Sequence, residues 1–516
     1  MFPAFANEDF SMPTAEEPFN IFRSIGVEPI INCRGTFTII GGSIERPEVR
    51  AAMEAASQNF IQYDELADGI GKKLAELTGA EWGVVSAGCA AGLKHVTAAC
   101  VTGGNPEKLV RIPDLTGFEK TEVIVPRHSR NSYDHGIRNI GVRIITVDSI
   151  EELENAINSR TAMIYIMAYG SSLPGQPMST EAIAKIAKPK GIPVLVDAAA
   201  EVLTIPNVHL QQGATIVAYS GGKAICGPQC AGLLLGQKDI LMSAWQASSP
   251  HHGPGRDNKV GREEMMGMLA AVEAWKKRDH ANEWKTWLGW LSNISKKLST
   301  IPGVTTNVFE PTELSNKSPV LNVVWDVSKF NLTGEDVAEI VGRSKPRIAI
   351  GSETKDGTTS LQITTGQMQP GNDKVVADRL FEILTQKRNA KSDNMSAPAT
   401  NVTGRWEVVV EFFSSKSKHI LTMEQDGNWI QGAHKGDFTL RDLAGTIEGD
   451  KVILKSTERG DADWVPFIFS GIIKDGVISG DIYMGEYRTA KFSASKYKYK
   501  SKREKIVVPS GPPLAT

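Results

Sequence analysis

A lysine follows two glycines in the stretch Tyr219-Ser-Gly-Gly-Lys223-Ala-Ile-Cys-Gly-Pro228, between the apolar runs 214–218 and 231–235. The two runs read as strands, and the paired glycines permit a tight turn and the close approach of another group. Confinement lowers the pKa of a lysine amine and makes it a nucleophile, the chemistry of a Schiff-base lysine. Upstream, Asp197 ends the apolar run Val194-Leu-Val196. A strand-end acid followed by a strand-loop lysine is the order pyridoxal phosphate requires. The acid keeps the pyridine nitrogen protonated and the lysine holds the aldehyde. Ser220, at the strand end beside Lys223, is assigned to the same cofactor.

The cofactor's phosphate needs an anion site. Trp82-Gly-Val-Val85 reads as a short strand, Ser86-Ala87-Gly88 follows, and an apolar helix runs on through Val101. Unpaired N–H groups and the positive end of the helix dipole would hold a phosphate there, with the Ser86 hydroxyl added. The strand 123–125 leads into Pro126-Arg127-His128-Ser129-Arg130-Asn131-Ser132-Tyr133. His128 is the candidate to stack on the pyridine and move protons. Arg127, Arg130 and Tyr133 are candidates to bind an anionic substrate.

These groups need strand ends that converge. Apolar strands alternate with helical segments from residue 82 to Lys223: strands at 141–147, 162–167 and 192–197, a capped helix after Ser149, and a helix from Met178. The pattern predicts a mostly parallel sheet with helices on both faces and ligand groups at the strand C-terminal ends. Before it, residues 29–43 read as strand, turn, strand and glycine-rich loop, with a helix from Pro47 and another over 64–78. After it, residues 263–301 read as helical, with Trp284, Trp287, Leu291, Ile294 and Leu298 as a packed stripe.

The pair Val196-Asp-Ala-Ala-Ala-Glu201 and Ser220-Gly-Gly-Lys-Ala-Ile-Cys-Gly-Pro-Gln229 resembles the selenocysteine synthase-like family of fold-type I pyridoxal phosphate enzymes, in its D-glucosaminate-6-phosphate ammonia-lyase branch. The resemblance spans residues 20 to 388. It implies an α/β fold with a large mostly parallel sheet domain and a small α/β domain. It also implies a homo-oligomer, and an opening segment lining the site with Asn32, Arg34, Thr36 and Ser43 as substrate contacts. Arg347, from the small domain, is implied for the substrate carboxylate. Arg256, Lys259 and Arg262 are implied to reach an anion across a subunit boundary.

The chain has 516 residues, 22% of them charged and 41% hydrophobic, with a net charge of -2. This is enough for two or three domains and gives no electrostatic pull toward nucleic acid or anionic membrane. No apolar run is long enough to insert in a membrane. The cysteines lack metal-site spacing, and His251-His252 has no acid or thiol companion at ligand spacing, so no metal is assigned. The first residues show neither a basic nor a long apolar segment, which leaves a cytoplasmic location and export with a removed leader both open.

The expected domains are a loose 1–19, a cofactor domain at 20–302, a small α/β domain at 303–388, a linker at 389–402, an antiparallel β-barrel or sandwich at 403–495 and a disordered tail at 496–516. The barrel rests on about eight short strands with turn signals at Asp426-Gly427, Gly449-Asp450 and Asp475-Gly476. It shows no catalytic cluster and reads as an accessory or assembly module. The expected activity is a carbon–nitrogen lyase acting by α,β-elimination on an anionic β-hydroxy or sugar-derived amino acid. Lys223 would take the α-proton and His128 would protonate the departing hydroxyl. A racemase or aldolase, a selenium transferase-like enzyme and a noncatalytic scaffold with a binding barrel are the alternatives.

Overall fold

The computed structural model describes residues 20–390, 394–457 and 465–498, with 505, 507, 508 and 510–512. The expected loose N-terminus, 1–19, and most of the expected tail lie outside them. The chain divides into two compact units, one ending at Ala390 and one starting at residue 391. Among the described residues no helix is long and apolar enough to cross a membrane.

The first unit is built on a seven-stranded sheet. From one edge its strands are Trp82–Ser86, Gly232–Gly236, Ile216–Ser220, Val194–Asp197, Thr161–Met167, Glu122–Pro126 and Arg143–Val147. Gly232–Gly236 runs antiparallel to both neighbours, while the strands from Ile216–Ser220 to Arg143–Val147 pair in parallel. Every residue of Trp82–Ser86, Glu122–Pro126, Val194–Asp197 and Gly232–Gly236 is buried, as continuous apolar strands covered on both faces must be. The parallel register sets Asp197 beside Met167 on one side and Ala218 on the other. The segments that follow those strand ends therefore meet.

A smaller antiparallel sheet follows, in the order Gly351–Lys355, Thr358–Thr364, Val320–Asp326 and Val304–Phe309. It has its own core, including Leu321, Val323, Trp325, Leu361 and Ile363. The expected packed stripe is split. Leu291, Ile294 and Leu298 are buried in this core, while Trp284 and Trp287 are only half-buried. The helical stretch also breaks in two, Arg262–Lys277 and His280–Leu298, where the Asp279 carboxylate caps the second helix by accepting from Asn282 N.

The expected second strand within residues 29–43 is absent. Ile30–Asn32 is a strand, paired in parallel with Arg347–Ala349, but Thr38–Ile40 is a 3-10 turn. Gly35, Gly41 and Gly42 all take positive φ, which an extended chain does not allow. Phe37 and Ile39 are left exposed.

The second unit is a closed barrel of eight antiparallel strands in chain order, from Gly404–Glu411 to Thr489–Lys496, the last pairing with the first. This decides between barrel and sandwich. Asp475 and Gly476 both have positive φ, the conformation of a tight two-residue hairpin turn. Part of the expected linker belongs to this unit. Ala399 N donates to Gly449 O, Val402 is buried, and Trp406 Nε1 donates to the Val402 carbonyl.

The barrel interior holds a polar chain that sequence reading missed. His419, His434 and Ser456 are buried. Ser456 Oγ lies 2.9 Å from His434 Nδ1, His434 Nε2 lies 2.9 Å from His419 Nδ1, and His419 Nε2 lies 3.5 Å from Asp437 Oδ2. A carboxylate only accepts, so a neutral His419, which burial favours, donates at Nε2 and accepts at Nδ1. His434 then donates at Nε2 and accepts the Ser456 hydroxyl at Nδ1. With both imidazoles neutral, the direction of the whole chain follows from its exposed end.

Burial pushes His434 down to about 3, with the nearby His419 and Arg441 adding to the effect. Burial also lowers His419, against the pull of Asp437. Unfolded histidines take up protons below about pH 6.5 while these resist, so stability is lost as pH falls. For His434 alone the expected loss between pH 7 and pH 5 is about 2 kcal/mol. Hydrogen exchange of barrel peptides in the full-length protein, corrected for intrinsic rates, should show it, and His434→Gln should flatten the dependence.

Candidate active site

Asp197 ends its strand and is 6% exposed. Its partners are neutral donors. Tyr165 Oη lies 3.0 Å from Oδ2, Ala199 N lies 3.0 Å from Oδ1, and Cys89 Sγ lies 3.6 Å from Oδ1. Burial raises the carboxyl pKa, opposed by the Ala199 and Tyr165 hydrogen bonds and the positive charge of Lys223. Burial first, and the Asp197 charge second, hold the Cys89 thiol and the Tyr165 hydroxyl protonated, so both serve as donors. A buried carboxylate without a bound cation is costly. A protonated pyridine nitrogen is the kind of group that relieves it.

Lys223 follows the strand Ile216–Ser220 and is half-buried. Its charge acts on both Asp197 and Cys89, which places it in their company. The loop that carries it is fastened from two sides. On one side Ser43 N donates to Gly222 O, and Arg46 N donates to Cys226 O. On the other, Arg278 Nη1 and Nη2 donate to the carbonyls of Ala224 and Ile225. Cys226 takes a positive φ of 56° within this loop, a conformation that L-residues adopt at some cost.

Ser86-Ala87-Gly88 turns between its strand and the helix Cys89–Thr102, as the sequence predicts, and no side chain caps that helix. Its first-turn amides are therefore available to an anion. The Ser86 hydroxyl corrects one expectation. It is buried and donates to the Gly88 carbonyl at 2.8 Å, so it braces the turn. Gly232 makes room for this turn, because a Cβ there would lie 2.5 Å from Gly88 C and 2.6 Å from Ser86 Oγ.

His128 stands on a one-turn helix after the strand Glu122–Pro126. Its Nε2 is buried without a hydrogen-bond partner, and burial lowers its pKa. The ring is thus neutral at pH 7, with one unsatisfied polar atom. The Ser43 Oγ is likewise buried and unpartnered. These orphaned atoms, the uncapped helix and the lone buried carboxylate fit bound pyridoxal phosphate. Lys223 and Asp197 would hold its two ends of charge, and the turn at Ala87 and Gly88 its phosphate. Ser220 ends its strand half-buried beside them.

The expected substrate arginines fare differently. Arg127 forms a fork with Asp148, Nε at 2.7 Å and Nη2 at 3.0 Å. Arg130 is held by the fully buried Asp134, at 2.6 Å, and by Thr146 Oγ1. Arg347 donates to the carbonyls of Gly342 and Glu28, and Arg262 to those of Ala56 and Ser57. These four guanidinium groups have partners within the chain. Asn32 shapes the turn after its strand, its Oδ1 accepting from Arg34 N and Gly35 N. Arg34 is exposed, donates to Ile350 O, and lies over Phe37. Thr36 is half-buried, and Tyr133, Arg256 and Lys259 are exposed. Arg256 reaches Ser249 Oγ at 3.4 Å.

Sequence reading missed Tyr165, Cys89, Asn131 and Arg278. Tyr165 was hidden among strand residues, and Cys89 was weighed only for metal-site spacing.

Family models match two stretches of the chain. The aminotransferase class-V model covers residues 137–323, and the DegT/DnrJ/EryC1/StrS aminotransferase family model covers residues 43–206. Both stretches and the relatives below make the chain similar to fold-type I pyridoxal phosphate-dependent enzymes. It is 29% identical over 377 residues to a D-glucosaminate-6-phosphate ammonia lyase of Salmonella typhimurium, covering 70% of this chain and 98% of that protein. It is 26% identical over 374 residues to a 5'-C-glycyluridine monooxygenase-decarboxylase of a Streptomyces species, covering 70% and 92%. A solved D-glucosaminate-6-phosphate ammonia-lyase structure matches with a TM-score of 0.63 at 27% identity, over 71% of this chain and 99% of that one.

The packing around Gly232 gives a test of the phosphate turn. Gly232→Ala should shift the Ser86–Gly88 backbone and weaken pyridoxal phosphate binding by about tenfold or more, the scale of overpacking strain. Titration of cofactor-free protein by visible absorbance checks this.

Proposed function

We propose that this enzyme is a carbon–nitrogen lyase that eliminates across the α,β-bond of an anionic β-hydroxy amino acid, with sugar-derived amino acids foremost. The observation that carries the reading is Lys223 in its fastened loop beside the buried Asp197, in a chain alignable with 98% of an ammonia lyase. Bound pyridoxal phosphate would supply an electron sink that weakens the bond from the amino-acid Cα to hydrogen.

The protein's own groups divide the remaining work. Asp197 would hold negative charge toward the ring nitrogen. The amides at the start of Cys89–Thr102 would bind the phosphate. Lys223 Nζ takes the α-proton and can return it to the departing hydroxyl oxygen, which leaves as water. The enamine left behind tautomerises to an imine, and hydrolysis of the imine yields a 2-keto acid and ammonia. Burial lowers the His128 pKa and favours the neutral imidazole, so the acid role is proposed for Lys223. His128 is left to stack on the ring and orient it.

Arg34, exposed on the opening segment that docks through Ser43, is proposed for the substrate anion. Arg256 and Lys259 are proposed to serve a neighbouring copy's pocket in a homo-oligomer. The exposed Phe37, Ile39 and Phe60 support an assembly.

The Streptomyces relative favours a second reading, oxygen-consuming decarboxylation of an amino acid at the same site. One experiment separates the readings. Cofactor-loaded protein is incubated with D- and L-β-hydroxy amino acids and amino-sugar acids, free and phosphorylated. Ammonia, keto acid, carbon dioxide, oxygen uptake and α-proton exchange are followed together. Ammonia with stoichiometric keto acid and no oxygen uptake is expected. Oxygen uptake with carbon dioxide supports the second reading, exchange without ammonia indicates a racemase, and an aldehyde with glycine an aldolase. Lys223→Ala should cut ammonia release by about 10²–10⁴-fold.

A further inference from the structure

We propose that Tyr165, oriented by Asn131, is a positioning residue that keeps Asp197 ionised opposite the cofactor's ring nitrogen. This rests on the cofactor reading of Asp197 given above. Tyr165 is fully buried in the strand Thr161–Met167. Its Oη stands between two groups, 3.0 Å from Asp197 Oδ2 and 3.2 Å from Asn131 Nδ2.

The geometry fixes the direction of both bonds. Asn131 Oδ1 accepts the Tyr133 amide at 2.7 Å, which identifies the other end of its side chain as the NH₂ group. That Nδ2 also donates to the Ser129 carbonyl at 2.8 Å. An NH₂ group only donates, so Tyr165 Oη accepts from Asn131, and its single proton goes to Asp197. The phenol cannot turn away without leaving Asp197 Oδ2 without this donor.

A donor held on a carboxylate favours its charged form. Two states compete when the cofactor is bound: carboxylate with protonated ring nitrogen, and neutral acid with neutral ring. Burial favours the second, and the Tyr165 hydroxyl favours the first. The same segment carries His128, since Ser129 Oγ accepts from Met167 N at 3.0 Å. Asn131 therefore joins the histidine-bearing turn to the acid on the far side of the sheet residue that both contact.

The test is Tyr165→Phe, which removes one oxygen and keeps the ring. Full-length protein is loaded with pyridoxal phosphate labelled with ¹⁵N at the ring. The resonance is expected to move from the protonated pyridinium range toward neutral pyridine, and the cofactor's Kd to rise about tenfold, as for a buried acceptor losing its donor. Asn131→Ala, on a partly exposed turn, should move both readouts the same way by less, and it decides the matter if Tyr165→Phe does not fold. A wild-type ring-nitrogen shift and Kd in the variants would overturn the proposal while leaving the cofactor reading intact. Wild-type protein that takes up no pyridoxal phosphate would overturn that reading, and the proposal with it.

Discussion

A carboxylate shut away from water with only neutral donors is the constraint around which the first unit is arranged. Asp197 is 6% exposed and receives a phenol, a backbone amide and a thiol. Such a charge is expensive unless a cation joins it. The fold supplies conditions for one. The parallel strands on either side bring Met167 and Ala218 into register with it. The helix that begins at Cys89 aims its open N-terminus at the same end of the sheet. The single antiparallel strand, Gly232–Gly236, lets the Lys223 loop return at once, with a glycine where the phosphate turn needs space.

The lysine itself is kept in place by backbone bonds rather than side-chain partners. Arg278 takes two carbonyls of its loop, and the chain near Ser43 takes two more. Positioning therefore comes from the frame. The second unit follows different physics. Its closed barrel satisfies its own edges, and its buried polar chain runs from Ser456 to Asp437 in one direction only.

Much of this was legible in the sequence because the signals are local. Gly221-Gly222-Lys223, the strand-end Asp197 and the small residues at 86–88 each declare a backbone geometry within a few positions. The alternation of the C-terminal strands and the turn at Asp475-Gly476 declare hairpins in the same way. What was hidden depended on distant partners. Arg127 reads as a free cation until Asp148 is beside it, and Arg347 until Gly342 and Glu28 are. Arg130 was recoverable, since Asp134 lies four residues from both Arg130 and Arg138, a helical ion-pair spacing. Tyr165 and the histidine pair gave no sequence signal, because each is one polar residue in an otherwise ordinary strand.

The central claim is that Lys223 is the amine that bears the cofactor. Borohydride reduction of the pyridoxal phosphate-loaded full-length protein, followed by proteolysis and mass mapping, tests it most directly. The account predicts one stable adduct, on the peptide containing Lys223, and its loss in Lys223→Ala. An adduct on another lysine of loaded wild-type protein, or a persistent stoichiometric adduct in Lys223→Ala, would contradict it.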